Sequence, residues 1–412
     1  MLRRDLVRLA AGATLGAVAS PVLGPIWAAR ADGPTKRMIV VMLRGAVDGL
    51  NVVVPYGETA YYDARSTIAI QKPGADGGAL NLDGHFGLHP SLAGLTAMWN
   101  DKKLAFIHAA GSPDPTRSHF DAQLFMENGT PGHSTTPDGW MNRLLAALPG
   151  PHSPTDALSV GPTLPYILQG PIAVANLPLG AKAAAPMAID RPEIASAFDK
   201  LYDGNDKQSE AYRQGRAART QLVADMGSDE QKMADNGAPP AEGFPAIAGR
   251  LAQIISQDKH IRLAFVSLGG WDTHARQGND KGQLAGRLKA LGDGLAALQQ
   301  GLGQDWNDTV LTVVSEFGRT VHENGNGGTD HGHGNVMWVM GGPVRGGKVY
   351  GEWPGLGTAQ LYQARDLAVT TDYRNPLATI AERHLRLDDK ALAKIFPGMP
   401  AAKGNFGEIL SA

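Results

Sequence analysis

RMIVVML, residues 37–43, governs how the rest of the chain is read. From Met38 to Leu43 it is apolar without polar alternation, so as a strand it has no face to offer water. Such a strand belongs inside a sheet covered on both sides. Four other runs have the same character: KLAFIHAAG (103–111), RLAFVSLGG (262–270), TVLTVVSE (309–316) and NVMWVMGG (335–342). Helical patterns lie between them, with SLAGLTAMWNDKK (91–103) leading into the second run and GQLAGRLKALGDGLAALQQ (282–300) into the fourth. Further helices are expected at 118–128, 138–147, 191–202, 208–233, 243–257 and 376–386. Strand and helix in alternation predict an α/β fold, a doubly wound and mostly parallel sheet with helices on both faces. The polar stretch 203–242, ending in NGAPPAEGFP, is expected to be an exposed helical insertion in a single domain covering 32–412.

The first 31 residues stand apart from that domain. MLRRDLVRLA carries Arg3, Arg4 and Arg8, and the apolar run AAGATLGAVASPVLGPIWAA leads to a small-residue exit at Ala29-Arg30-Ala31. This is the layout of a cleaved export signal, and the twin arginines point to the Tat route and a periplasmic or secreted protein. Three glycines and two prolines in the apolar run argue against a retained anchor, and no later segment is apolar enough to span a bilayer. Tat substrates cross folded, which is consistent with a metal or cofactor loaded beforehand.

A formal net charge of −2 leaves no electrostatic footprint for nucleic acid. The chain has no cysteine, which excludes thiolate metal sites and cysteine nucleophiles. With 43% hydrophobic residues it can bury a large core, and 52 glycines and 27 prolines point to a loop-rich enzyme.

In an open parallel sheet, ligands sit beyond the carboxyl ends of the strands. After the first strand comes LRGAVDGLN, with Asp48. After the second comes GSPDPTRSHFDAQ, with Thr116, Arg117, Ser118, His119 and Asp121. After the third comes GGWDTHARQG, with Asp272 and His274. After the fourth comes SEFGRTVHENGNGGTDHGHG, with Glu316, Arg319, Asp330, His331 and His333. Each residue alone has an ordinary structural explanation, such as a helix cap for Asp48 or Ser118. Their convergence on one sheet edge predicts a metal site. GTDHGHG contributes most, because it sets Asp, His and His among glycines on one loop.

Carboxylate and imidazole donors suit Zn²⁺, Mn²⁺ or Fe, and mainly carboxylate sets suit Ca²⁺ or Mg²⁺. Asp48, Asp272, Glu316, His274, His331 and His333, with Asp330 beside them, are donors enough for one or two divalent ions. Two ions would suit displacement at phosphorus or sulfur. Arg117 and Arg319 are candidate clamps for a tetrahedral oxyanion. Ser118, or alternatively Thr116, is the candidate nucleophile, with His119 sharing the site from a turn.

The combination of LRGAVDGLN, TRSHFDAQ, GWMNRLL, GGWDTH, SEFGRT and GTDHGHG resembles the exported bacterial family known as domain of unknown function 1501, from about residue 36 onward. That family is similar to a remote branch of the alkaline phosphatase and sulfatase superfamily. The resemblance implies a metal site at the strand ends. It places Asp48 as first-strand metal ligand, Ser118 near the nucleophile, and Asp272 with His274 at an Asp and His pair for the first metal.

Two departures stand out. SEFGR stands where superfamily members have Asp-His-Gly, with His331 and His333 available for the lost imidazoles and Asp330 as a ligand or their hydrogen-bond partner. The stretch Pro113-Asp114-Pro115-Thr116-Arg117 has proline where a formylglycine precursor belongs, which argues against a formylglycine sulfatase.

The resulting expectation is a periplasmic metal-dependent hydrolase of phosphate or sulfate esters, acting on an anionic ester or polysaccharide. The alternative is a metal-binding protein that binds or assembles envelope polysaccharide, for which Trp99, Trp140, Trp271, Trp338 and Trp353 would provide stacking surfaces.

Overall fold

Residues 37–43 form strand β1 (Arg37–Leu43) in the computed structural model, which describes residues 35–177, 234–400 and 406–411. All seven residues are buried, and the alternation of a strand sends them two ways. Ile39, Val41 and Leu43 enter one hydrophobic core, whereas Met38, Val40 and Met42 enter a second on the opposite face. The missing polar alternation therefore reports two covered faces.

Along the chain the same sheet gains β2 (Leu104–Gly111), β3 (Ala157–Val160), β4 (Ala175–Leu177), β5 (Leu263–Leu268), β6 (Thr309–Ser315), β7 (Asn335–Gly341), β8 (Val349–Tyr350) and β9 (Thr371–Asp372). Their spatial order is β8-β2-β7-β6-β1-β5-β3-β4, with β9 also paired to β2. β1 lies between β5 and β6, parallel to both. Among the described strands of this sheet, only β7 runs against its neighbours, β2 and β6. A parallel neighbour requires a crossover that returns the chain to the opposite sheet edge. The loop 316–334 makes no such crossing. It stays at the edge where β6 ends, and β7 starts back from there.

The principal helices are α1 (His119–Asn128), α2 (Trp140–Ala147), α3 (Phe244–Gln257), α4 (Gln283–Leu302), α5 (Arg374–Arg383) and α6 (Asp389–Ile395). α3 and α4 cover the Ile39 face through residues such as Leu251, Ile255, Leu288 and Leu295. α2, α5 and α6 cover the Met38 face through Leu144, Ile380 and Ile395.

The segment 91–103 is not one helix. Pro90–Leu95 is a 3₁₀ turn with a kink at Leu92, followed by the short α-helix Thr96–Asn100. The export signal and the helices expected at 191–202 and 208–233 lie outside the described residues. The described end of the expected insertion, 234–242, packs inward. Ala234 and Ala241 are buried, and Pro240 bridges to Gly269 just beyond β5. Among the described residues no helix is long and apolar enough to cross a membrane.

Candidate metal centre

Three loops meet beyond the carboxyl ends of β1, β5 and β6, with the start of α1 beside them. The turn after β1 has Gly45 at φ +104°, and a Cβ there would lie 2.7 Å from the backbone nitrogen of Asp272. Only glycine allows this approach of the β1 and β5 exits. Trp271, fully buried, anchors the β5 exit by donating its indole N–H to Leu268 O at 3.0 Å. In GTDHGHG, a Cβ on Gly332 would lie 2.4 Å from the carbonyl carbon of Arg319, so the loop can fold back on SEFGR only with glycine there.

This folding brings four side chains together. His331 Nε2 is 3.0 Å from His119 Nε2 and 3.0 Å from His274 Nε2. Asp272 Oδ1 is 3.0 Å from His274 Nε2, 3.4 Å from His331 Nε2 and 3.7 Å from His119 Nε2. His119, Asp272 and His331 form a group able to hold a metal ion. Donors about 2.0–2.1 Å from a tetrahedral zinc ion lie roughly 3.3 Å from one another, which is the spacing seen here.

The opposite side of each ring fixes its tautomer. His331 Nδ1 lies 2.9 Å from Arg117 O, which can only accept, so Nδ1 carries the proton. His119 Nδ1 donates to Glu316 Oε1 at 2.8 Å, and His274 Nδ1 donates to Asp330 Oδ1 at 3.1 Å. Three Nε2 lone pairs therefore face one another and a carboxylate oxygen. Four such donors repel unless positive charge lies among them, and partners behind the rings are what metal-binding histidines need.

The titration behaviour agrees. Burial depresses His119, but hydrogen bonds to Asp272 and Glu316 outweigh it and push its pKa up to about 9. Burial acts to raise Asp272, yet hydrogen bonds from His119, His274 and His331 and the charge of Arg319 hold it far below the usual carboxylate range. His274 is raised, chiefly by its hydrogen bond to Asp272. In the absence of a metal, protons supply the positive charge that this cluster demands.

Several expected site residues lie elsewhere. Asp48 is fully buried and receives both terminal nitrogens of Arg65, at 2.6 and 3.0 Å, and Gln277 Nε2 at 2.7 Å. It is the internal counter-ion of Arg65. Glu316 stands behind His119, where its Oε1 also accepts from Gly45 N at 2.7 Å and Gln123 Nε2 at 3.0 Å. Asp330 stands behind His274 and also accepts from Asn324 at 3.0 Å. His333 lies outside the cluster, with its ring stacked on Tyr362 at 4.7 Å between centroids.

Both arginines make ion pairs within the protein. Arg319 is buried and donates to the carbonyls of Gly45, Ala46, Trp271 and Thr329 and to Asp272, tying the three loops together. Arg117 pairs with buried Asp366 at 2.6 Å, and only its carbonyl serves the cluster. Ser118 is the N-cap of α1, its Oγ 3.4 Å from Asp121 N, directly before His119. Thr116 Oγ1 accepts from Ser118 N at 3.2 Å and so supports that cap. Of the five tryptophans named as stacking candidates, Trp99, Trp140, Trp271 and Trp338 are core residues, and Trp353 is half-buried with its indole N–H on Glu58.

Sequence reasoning missed the supporting residues. Gln123 and Glu127 follow His119 at intervals of four, a visible helical face. They carry the chain from Glu316 through Gln123 to Arg44, which pairs with Glu127 at 2.7 Å. Arg65 and Gln277 carried no local signal, since their partner Asp48 is brought to them by the fold.

The chain belongs to the family described as "Protein of unknown function (DUF1501)", which matches residues 35–396. No curated protein matches it. Similar solved structures include a protein in the alkaline phosphatase superfamily from Vibrio parahaemolyticus, 11% identical with a TM-score of 0.38, over 77% of this chain and 63% of that one. The C-terminal periplasmic domain of EcEptC from Escherichia coli is 10% identical with a TM-score of 0.38, over 91% and 90%. The lipoteichoic acid synthase LtaP from Listeria monocytogenes is 10% identical with a TM-score of 0.32, over 74% and 65%. The chain thus spans less than two thirds of the Vibrio and Listeria proteins. At these identities and TM-scores the likeness carries no activity or substrate to this chain.

Proposed function

We propose that the chain is an exported hydrolase that uses one divalent metal ion to cleave phosphate or sulfate esters, including those of anionic polysaccharides. The observation that carries this reading is the convergence of three Nδ1-anchored imidazoles and Asp272 on one point. His119, His331 and Asp272 would hold the ion with His274 beside them. Two imidazole donors with a third imidazole beside them favour zinc or a neighbouring transition metal over calcium or magnesium. A single ion is the reading we favour, because Asp48 and Glu316 accept hydrogen bonds from other partners.

When bound, such an ion supplies Lewis-acid stabilisation of charge on a phosphoryl or sulfuryl oxygen. The protein contributes the rest. α1 starts at His119, so its first N–H groups and dipole favour an anionic group beside the cluster. Ser118 holds its hydroxyl at the same helix start and is the proposed nucleophile. Asp272 and the fixed imidazoles keep the donors in place while charge develops.

A second reading, a metal-binding protein of the envelope without turnover, is favoured by one observation: Arg117 and Arg319 are both consumed by internal partners. Elemental analysis of protein purified without chelator or affinity-tag metal, beside Ser118→Ala, separates the readings. The hydrolase predicts about one equivalent of transition metal in both proteins, with turnover of phosphate or sulfate esters lost in the variant. Metal without turnover across mono- and diesters supports the second reading. Absence of metal overturns both.

A further inference from the structure

Beside His331, two arginines share one carboxylate. Asp366 is fully buried. Its Oδ2 accepts from Arg117 Nη2 at 2.6 Å and Nε at 3.2 Å, and its Oδ1 accepts from Arg365 Nε at 2.9 Å. Among the described residues Asp366 is the only ion-pair partner of either arginine. Arg117 suffices to neutralise it, so Arg365 brings a positive charge that no carboxylate of the described chain pairs separately.

Two features fix Arg365 at the rim of the metal centre. Its Nη2 donates to the carbonyl of His331. By bond lengths alone, the guanidinium is then within about 10 Å of His331 Nε2, where the cluster converges. The turn that presents it is also held firmly. Gln363 and Ala364 both sit at φ +54°, a left-handed conformation that residues other than glycine keep only where the surrounding contacts over-determine it. Those contacts are Tyr362 N to Asp366 O at 2.8 Å, Asp366 N to Tyr362 O at 3.0 Å and Val321 N to Arg365 O at 3.2 Å.

The outer edge of Arg365 is open. Its side chain is 43% exposed, and its Nη1 has no hydrogen-bond partner and is not among the buried unpaired nitrogens. An unspent guanidinium edge is a charge-assisted donor suited to a carboxylate, sulfate or phosphate. Because its position is already fixed, it binds an anion with little further loss of side-chain freedom.

We propose that Arg365 is a specificity-determining residue: with the reacting ester group at the metal centre, its free edge holds a second anionic group on the same molecule. The substrate class is then an ester of a polyanion, such as a saccharide that carries a further phosphate or carboxylate. This inference rests on the proposed ester-binding role of the cluster and adds to it a residue and a feature of the substrate.

The test is calorimetric titration of glucose 1-phosphate, glucuronic acid 1-phosphate and glucose 1,6-bisphosphate into the full-length, zinc-loaded protein. The three share the ring and the ester at C1 and differ at C6, which bears a hydroxyl, a carboxylate or a phosphate. Ser118→Ala is the background, so that no ester is consumed. Arg365→Gln removes the charge, and Arg365→Met, which keeps an apolar stem, serves if the first variant does not fold. Asp366 keeps Arg117 as its partner in both.

The expected result is that the background protein binds at least one of the two C6 anions roughly tenfold or more tighter than glucose 1-phosphate, and that this preference disappears in a folded variant. The tighter of the two tells a carboxylate-bearing ester from a phosphate-bearing one. A preference that survives the loss of Arg365 assigns the second anion to another cation, and three equal affinities in the background protein deny the subsite. Either outcome overturns the proposal while ester binding at the metal centre stands. Failure of all three ligands to bind overturns the proposal together with the ester-binding reading.

Discussion

Glu316 Oε1 lies 2.8 Å from His119 Nδ1, and the same oxygen accepts from Gly45 N and Gln123 Nε2. Three donors on one fully buried oxygen leave the carboxylate no freedom to swing towards the cluster. Its role is to hold the His119 ring and its tautomer from behind.

Replacing Glu316 with Gln keeps the shape and removes the charge. Partners behind metal-binding histidines are typically worth about 10–100-fold in affinity. Competition against a chromophoric chelator should show zinc binding weakened by that factor in a variant that still folds. Unchanged affinity would mean that His119 is not a ligand.

The raised pKa of His119 has a definite sign in stability. In metal-free protein, burial disfavours its charge, but Asp272 and Glu316 push the pKa up to about 9. Protonation therefore stabilises the fold fully below about pH 6.5, the ordinary value, and this contribution is lost as pH rises through about 9. Metal competes for the same Nε2, so zinc affinity should rise across that window while the melting temperature of metal-free protein falls. Flat profiles for both quantities would contradict the assignment.

Asp48 was expected as a ligand, and its substitution distinguishes the two roles. Asp48→Asn strands the buried Arg65 guanidinium, a loss on the order of 3–5 kcal/mol for a broken internal ion pair. Urea unfolding should show that loss, while metal content per folded molecule stays the same. A stable variant that has lost its metal would restore Asp48 to the centre.

The two histidines of GTDHGHG should behave differently. His331→Ala removes the ring at the middle of the cluster and should abolish tight metal binding. His333→Phe keeps the stack on Tyr362 and should retain it. Similar losses in both would place His333 among the ligands.

How much of this was legible depended on the range of the interactions. His331 stood out because the glycines around it are local, and a loop so built has few other uses. Asp272 and His274 were visible through their place after a buried run. The misplacements share one cause: a carboxylate's role is set by the charges that the fold brings to it. Asp48 meets Arg65 and Gln277, and Glu316 meets His119 and Gln123, over separations of up to 229 residues.

Sequence by itself determined the five long strands, because burial on two faces is written into each as largely unbroken apolar character, whereas the short strands such as Ala175–Leu177 and Thr371–Asp372 carry no such signal. It also determined which edge would gather the polar loops, since strand direction follows from the crossovers. Only the tertiary structure decided which of those polar groups face one another. His119 comes from a helix start, Asp272 and His274 from the β5 exit, and His331 from a loop that never crosses the sheet. Their convergence to about 3 Å depends on glycines at Gly45 and Gly332 and on Arg319 binding the loops together. Contacts of that length are set by packing in three dimensions, which periodicity along a chain does not encode.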